Sequence, residues 1–200
     1  MQRLEFPLTA IFRVLALSPE VQVRDAQGAL LMQVKQKLLT LREDTTVFAD
    51  ADKTRPLYRM RADRISGFRA VHTITSADTG VPLGAVRATG IRSLWRARYD
   101  VTNSAGREVT RIQEENPWIK VIDGLVDSIP LIGPLVAMFI NPSYLVVAPD
   151  GSTYARISKK RSLVDRRFTL DRTAPNPNDV SDELLALALI QVVLLERSRD

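Results

Sequence analysis

The segment Val21-Gln-Val-Arg-Asp-Ala-Gln-Gly28, with the apolar residues Leu31 and Val34 behind it, decides the fold of this chain. It joins a short apolar strand, an Asp/Asn-x-x-Gly turn and a second apolar strand. The pattern recurs with turn-closing residues at Thr54, Gly80, Gly106 and Gly151. From position 28 to position 106 the spacing is 26 residues. Such a period indicates a repeated supersecondary unit that cannot bury its apolar face alone.

Each unit is predicted to be a β-hairpin, because Asp or Asn followed by Gly supplies the positive φ of a tight turn. Five hairpins in an antiparallel meander give about ten strands, and the segment from Leu4 to Leu17 can add one or two. A meander of this size leaves two unpaired edges unless it closes on itself. The sequence therefore predicts a mainly β fold, a closed antiparallel barrel of about twelve strands.

The segment from about residue 180 to 197 is predicted to be a helix inside this barrel. Asp182 and Glu183 match the positive end of the helix dipole, and residues 184–195 are apolar on every side except at Gln191. These twelve residues span about 18 Å, too short for a ~30 Å hydrocarbon core. Because about twelve strands enclose more space than their own side chains fill, the barrel interior is the expected place for it.

An apolar insertion, at about residues 118–143, interrupts the repeat before the fifth hairpin. Pro130, Pro134 and Pro142 favour two short helices or a bent loop over one long helix. Because this segment is so apolar, it has to be shielded from water, by packing on a barrel mouth, by a dimer partner or by lipid. Its candidate interaction residues are Ile129, Leu131, Ile132, Leu135, Met138 and Phe139.

Composition narrows the class of protein. The 200 residues are 45% hydrophobic and 26% charged, which is typical of a globular chain, and we expect a single domain over 1–200. The absence of cysteine excludes disulfides, thiol catalysis and thiolate-zinc sites, and a single histidine excludes a polyhistidine metal cluster. We therefore expect no metal and no cofactor. Arg13 splits the N-terminal apolar run and no cleavage site follows, so a strand and a cytoplasmic location are expected.

Charge points to anionic partners. The net charge is +5, and basic residues cluster in three stretches that are nearly free of acids. The alternative is that these side chains lie on the polar sides of strands and hairpins and serve only to keep the protein soluble. The candidate residues for an anionic surface are Arg92, Arg96, Arg98, Lys159, Lys160, Arg161, Arg166 and Arg167.

Enzymatic activity is not expected, because no phosphate-binding, dinucleotide-binding, nucleophile-elbow or zinc-protease motif occurs in the chain. No catalytic residue is assigned. His72, the single histidine, lies in His72-Thr-Ile-Thr and is expected at a strand edge or facing solvent.

The Asp-x-x-Gly turns, the stretch Val34-Lys-Gln-Lys-Leu-Leu-Thr-Leu-Arg-Glu-Asp-Thr-Thr-Val-Phe48 and the apolar C-terminal helix together resemble the LURP-one-related proteins. These belong to the tubby C-terminal-like superfamily, which also includes the phospholipid scramblases. The resemblance covers nearly the whole chain apart from the insertion. It implies a closed twelve-stranded barrel around a central helix. It also implies basic surface residues of the kind that bind phosphoinositides in tubby-like domains.

A calcium-activated scramblase is not expected. The nearest approach to a calcium loop, Asp50 to Arg55, has Arg55 where the loop requires glycine. The sequence thus predicts a non-enzymatic binding or membrane-peripheral module with an anionic phospholipid surface or an acidic protein as partner. Nucleic acid is a less favoured partner. The alternative function is a structural or scaffolding protein that forms a homodimer through the insertion.

Overall fold

The computed structural model describes residues 4–13, 20–36, 44–64, 70–89, 97–115, 143–160, 165–177 and 180–197. The secondary structure of these residues consists of β1 (Leu8–Arg13), β2 (Glu20–Arg24), β3 (Leu30–Gln36), β4 (Asp44–Phe48), β5 (Pro56–Ala62), β6 (Val71–Ser76), β7 (Pro82–Thr89), β8 (Arg98–Asn103), β9 (Glu108–Glu114), β10 (Ser143–Val147), β11 (Thr153–Lys160), β12 (Asp165–Arg172) and the helix α1 (Asp182–Arg197).

The strands form one closed barrel in which each strand pairs antiparallel with its neighbours in sequence. β1 closes the ring against β12, with Leu8 opposite Leu170 and Arg13 opposite Asp165. Every described strand therefore has a partner on both sides. This confirms the predicted closed barrel and the reason given for it, namely that a meander of this size must remove its edges.

The two strands that lie outside the five hairpins come from opposite parts of the chain. β1 falls in the segment from Leu4 to Leu17, as expected, whereas β12 follows the last hairpin. In β12, Phe168 and Leu170 are buried and charged residues surround them. Most residues of this strand are charged, so an alternation of buried and exposed positions cannot be seen in its sequence. From the sequence, its residues are therefore interpreted as a basic cluster and not as a strand.

The barrel has two different ends. Five tight turns join β2 to β3, β4 to β5, β6 to β7, β8 to β9 and β10 to β11 at one end, which we name the turn end. The opposite ends of the strands form the other end of the barrel, which we name the loop end. Glu114 on β9 pairs with Tyr144 on β10 at the loop end. The apolar insertion joins these two strands, and its candidate residues lie outside the described part of the chain.

Polar side chains hold the tight turns. Asp25 Oδ1 accepts hydrogen bonds from the backbone N–H groups two and four residues on, at 3.0 and 2.8 Å. Asn103 Oδ1 does the same in its own turn, at 3.0 and 3.1 Å. Gly28 and Gly106 close these turns with φ of 83° and 77°. The predicted Asp/Asn-x-x-Gly chemistry is the chemistry that forms them.

The β4–β5 turn departs from the 26-residue spacing of the turn-closing residues. Its left-handed residue is Lys53, with φ 60°, and not Thr54, so the turn closes one residue earlier than the sequence spacing places it. Lys53 stands three residues after Asp50, the same offset that separates Gly28 from Asp25, and Asp50 accepts the backbone N–H groups of Thr54 and Arg55, each at 2.9 Å. Lys53 also forms an ion pair with Glu20 on β2, which ties this turn to a strand two places away in the ring.

The helix lies inside the barrel, as predicted. No residue from Leu184 to Leu194 is more than 5% exposed, and the helix contacts β1, β2 and β7. Ser181 caps it, since its hydroxyl accepts the N–H of Leu184 at 3.1 Å. A helix without a polar face fits here because the barrel wall surrounds it with apolar side chains.

The first turn of the helix is tied to the wall at the turn end. Arg172, the last residue of β12, forms an ion pair with Asp182 and lies over the ring of Phe6, 3.9 Å from its centroid. Tyr58 on β5 hydrogen-bonds with Glu183, and burial together with this carboxylate raises the pKa of Tyr58 to about 12. The two acidic residues that favour the helix dipole therefore also fix the helix against β5 and β12.

His72 corrects the sequence prediction, since it is only 2% exposed. In β6 the exposed side is formed by Thr73, and the period of two then turns His72 and Ile74 toward the interior. The threonines supply the polar face of this strand. The expectation of a solvent-facing histidine was wrong because a lone polar residue was assigned outward without following the alternation.

Candidate anion-binding site

Four of the predicted basic residues come together at the loop end of the β11–β12 hairpin. Lys160, the last residue of β11, lies directly opposite Arg167 on β12, and both are exposed. Lys159 and Arg166 occupy the alternate positions and are half-buried. Strand alternation places one pair on the outer face and the other toward the barrel mouth. The hairpin therefore presents cations on both sides of its tip.

Little negative charge opposes this hairpin. Asp165 lies 3.7 Å from Arg167, a long ion pair. Within the described part of the chain, Lys159 and Lys160 have no carboxylate oxygen within 4.0 Å. Two like charges placed directly opposite on a sheet, as Lys160 and Arg167 are, destabilise the folded state. An anion between them would relieve that repulsion, which makes the hairpin a candidate anion-binding site.

The structure does not bring Arg98 to this hairpin. Arg98 lies on β8, separated from β11 by β9 and β10, and its Nε donates to Asp100 at 2.8 Å. Asp100 also accepts the hydroxyl of Thr89 at 3.1 Å and the Nε of Arg111 at 3.4 Å. Arg98 is thus part of an ion-pair network of its own. The remaining predicted residues, Arg92, Arg96 and Arg161, lie outside the described residues.

Two further cations near the loop end were not among the residues predicted for the site, although Arg87 begins one of the three basic stretches of the sequence. Lys35 is the next-to-last residue of β3 and Arg87 lies near the end of β7, and both are exposed. Neither has a carboxylate within 4.0 Å among the residues that the structure describes. Lys35 stands in a stretch of mixed polarity, so clustering along the sequence did not single it out. Both positions could have been predicted at this end of the barrel by counting residues along each strand from its tight turn.

Carboxylates at the loop end are held in the ionised state. Hydrogen bonding from the hydroxyl of Ser143, at 2.6 Å, and the ion pair with Arg156 lower the pKa of Glu115. Hydrogen bonds from Arg64 and from the N–H of Val71 lower the pKa of Asp63 to about 2. These anions already have cationic or hydroxyl partners. Among the described residues, Lys35, Arg87, Lys159 and Lys160 have no carboxylate within 4.0 Å, although Glu20 and Asp100 stand directly opposite Lys35 and Arg87 in the sheet.

A cleft of about 380 Å³ lies at the turn end, between the β10–β11 turn and the segment before the helix. Its walls include Tyr154, Pro175 and Asn176, and none of its lining residues is a lysine or arginine. In the described part of the chain, His, Asp and Glu side chains form no group of three that could hold a metal ion. Lys160 and Arg167 are exposed on the outer face of paired strands, a position that suits an extended anionic surface.

Comparisons with known proteins bear on the fold. No family model matches the chain, and no curated protein matches it. The X-ray structure of the protein AT5G01750 from Arabidopsis thaliana is similar, with a TM-score of 0.54 and 16% sequence identity over 98% of this chain and 94% of that one. At this identity the likeness concerns the twelve-stranded barrel and its central helix. Among the described residues, no helix is both long and apolar enough to span a bilayer.

Proposed function

We propose that the chain is a tubby-like barrel of the LURP-one-related type that acts as a non-enzymatic, membrane-peripheral binding module in the cytoplasm. Its ligand is the anionic phospholipid headgroup. The observation that carries this proposal is the β11–β12 hairpin, where Lys159 and Lys160 lie beside Arg166 and Arg167 with Asp165 as their nearest acid in the strand pair. Among the described residues of the hairpin, no aromatic side chain lies beside these cations on the outer face, so these strands offer no stacking platform for nucleic-acid bases.

The energetics suit a reversible peripheral contact. A basic residue close to an anionic leaflet contributes about 1 kcal/mol, and this attraction decays over the Debye length of about 8 Å at physiological salt. Two lysines and an exposed arginine therefore give a weak, salt-sensitive association. The fold need not change on binding, because the cations already stand on paired strands.

The direct test is co-sedimentation of the protein with liposomes that contain or lack phosphatidylserine. We expect binding only to the anionic vesicles, and Lys159→Ser with Lys160→Ser should weaken it by about thirtyfold at physiological salt. Among the described residues neither lysine has a carboxylate within 4.0 Å, so the double variant leaves no anion there without its partner and should melt as the wild type does.

The matched control removes the same charge elsewhere. Arg55→Ser with Arg107→Ser takes two exposed cations from tight turns at the opposite end of the barrel. This variant should bind within about twofold of the wild type, because the lost charges lie more than a Debye length from the hairpin. Equal loss in both variants would show a dependence on net charge alone, and absence of binding by the wild type would refute the proposal.

A further inference from the structure

We propose that the cleft at the turn end binds a small amphipathic amine, a primary ammonium group carried on an apolar body. The cleft has a volume of about 380 Å³ and lies between the β10–β11 turn and the segment that leads into the helix. Concave sites of this size hold small molecules in many proteins. The inference goes beyond the proposed function and is independent of it, because none of the four hairpin cations lines this cleft.

The first wall of the cleft is the β10–β11 turn, and its own backbone holds it in place. The N–H of Ala148 donates to the carbonyl of Ser152 at 2.8 Å, and the N–H of Gly151 donates to the carbonyl of Ala148 at 2.9 Å. Pro149 lies between them, with a φ that its ring fixes. This wall therefore has its shape before any ligand arrives.

The second wall is the segment from Ala174 to Pro177, which is tied to both β11 and the helix. The N–H of Ala174 donates to the carbonyl of Tyr154 at 3.1 Å. Asn176 Nδ2 donates to the carbonyl of Val180 at 3.2 Å and to Asp182 Oδ1 at 2.7 Å. Because both walls are fixed by hydrogen bonds, the cleft is a preformed site, as most small-molecule sites are.

The polar side chains of the cleft have acceptors to offer, since most of their donors are already used. The hydroxyl of Tyr154 donates to a buried threonine at 2.7 Å, and the hydroxyl of Ser152 donates to Asp150 at 2.6 Å. Asn176 uses its NH₂ group within its own wall, whereas its Oδ1 is buried and accepts no hydrogen bond from the described residues. The exposed hydroxyl of Thr153 can accept as well as donate. A ligand that brings N–H donors therefore suits these walls.

The charge of the cleft is negative. Asp150 is the one charged residue that lines it, and the hydrogen bonds from the hydroxyl and N–H of Ser152 lower the pKa of Asp150. Within the described part of the chain, no cation lies within 4.0 Å of this carboxylate. Arg172 acts on nearby Tyr154, but its ion pair with Asp182 offsets its charge. A cationic ligand is thus favoured over a neutral or anionic one.

The rest of the lining is apolar and calls for an apolar body on the ligand. Pro149, Pro175 and Pro177 line the cleft together with two alanines, and proline has no N–H to donate. An anion would therefore find few donors in these walls. A metal ion would find a single carboxylate, and the described residues contain no group of three metal ligands. An amine with an alkyl or aryl group matches both parts of the lining.

The direct test is an NMR titration of the full chain with benzylammonium as the probe. We expect it to shift the amide signals of Gly151, Ser152 and Ala174, with a dissociation constant of about 1 mM. The signals of Gly28 and Gly106, in other tight turns, should stay in place. Benzyl alcohol, which has the same ring without the charge, should bind about threefold more weakly, and phenylacetate should bind more weakly still.

Two variants assign the binding to this cleft. Asp150→Asn keeps an oxygen that can accept from Ser152 and removes the charge, so it should weaken benzylammonium binding by about threefold. The matched control is Asp78→Asn, which removes an exposed carboxylate from the β6–β7 turn and should bind as the wild type does. Ala174→Trp places a large side chain on an exposed lining position and should block binding, while thermal melts confirm that the barrel remains folded.

Three results would overturn the inference. Benzylammonium could leave the cleft amides unchanged, or it could shift the Gly28 and Gly106 turns equally. Benzyl alcohol or phenylacetate could bind as tightly as benzylammonium, and the assignment of a cationic ligand would then fail. Asp150→Asn could bind as the wild type does, which would remove the carboxylate from the site. None of these results bears on vesicle binding, which Asp150→Asn should leave unchanged, so the proposed function is tested separately.

Discussion

Gly84 on β7 lies against Leu184 in the first turn of the helix. A Cβ atom at position 84 would stand 3.0 Å from Leu184 Cδ1 and would press on the carbonyl oxygen of Thr102 on β8. The absence of a side chain therefore lets the helix enter the barrel close to this part of the wall. Gly84 has an ordinary negative φ, so the requirement for glycine comes from space and not from backbone conformation.

Gly84→Ala should destabilise the protein by about 1–3 kcal/mol, because β7, β8 or the helix must shift to admit the methyl group. Urea unfolding followed by circular dichroism measures the change. Ala85→Val is the control, since residue 85 is half-buried on the opposite side of the same strand and should cost within about 0.5 kcal/mol. Equal stability of the two variants would contradict the close approach of helix and wall.

Leu187→Asp should abolish folding, because Leu187 is fully buried and an unpaired carboxylate in the barrel interior costs several kcal/mol. Removal of the chain after Asp179 should do the same by emptying the barrel. The matched control is Val81→Asp, the same kind of change at a valine that is 57% exposed, which should fold normally. A cooperatively unfolding, soluble Leu187→Asp protein would show that the helix does not fill the interior.

Lys53 combines a strained backbone with an ion pair, and the two effects can be separated. In a Glu20→Gln background the ion pair is gone, and Lys53→Gly should then stabilise the protein by about 1 kcal/mol by relieving the positive φ. In the wild-type background the gain should be smaller, because the substitution also removes the ion pair. Gly106→Ala, at φ 77°, should change stability in the opposite direction. Thermal melts of the four variants complete the comparison.

Alkaline pH should destabilise the barrel. Burial raises the pKa of both Tyr58 and Tyr154 to about 12 from the ordinary value of 10.0. Because the folded-state pKa lies above the unfolded value, folding favours the neutral phenol. This contribution is complete below pH 10 and is lost as pH rises from 10 toward 12. Urea titrations across this range, with phenolate absorbance alongside, should show the loss, and Tyr58→Phe should lessen it.

The insertion provides a test of the alternative scaffolding function. Replacing residues 124–142 with a short Gly/Ser loop is compatible with the barrel, since Glu114 and Tyr144 already pair across its base. If the segment only covers the barrel mouth, stability should fall by about 25 cal/mol per Å² of lost apolar burial while the mass in solution stays constant. A well-folded protein of smaller mass in analytical ultracentrifugation would instead show a dimer contact.

The fold follows closely from local chemistry in the sequence. The turn residues Asp25 and Asn103, each followed three residues later by glycine, specify hairpins that any reader of the sequence can place. Lys53 shows the limit of this reading. The 26-residue period marks Thr54, whereas the offset of three residues from Asp50, the same as in the Asp25 and Asn103 turns, marks Lys53, and the structure follows this local offset.

The site follows less well from the sequence. Clustering correctly found the β11–β12 hairpin, where cations are close both along the chain and across it. It placed Arg87 in a basic stretch without assigning it to the site, and it missed Lys35. Their positions near the loop end depend on the strand order around the ring, which is a property of the folded barrel.

Because β1 closes the ring against β12, the barrel cannot close until the last strand has been synthesised. The residues that complete the ring, 165–172, and the helix that fills it leave the ribosome after all the other strands. Until then the nascent meander has an unpaired edge at β1 and an empty apolar interior. Such contacts between residues far apart in sequence form slowly, and exposed edges invite aggregation. A ribosome stalled before residue 165 should therefore hold a chain that chaperones bind, whereas the finished barrel offers them no such edge.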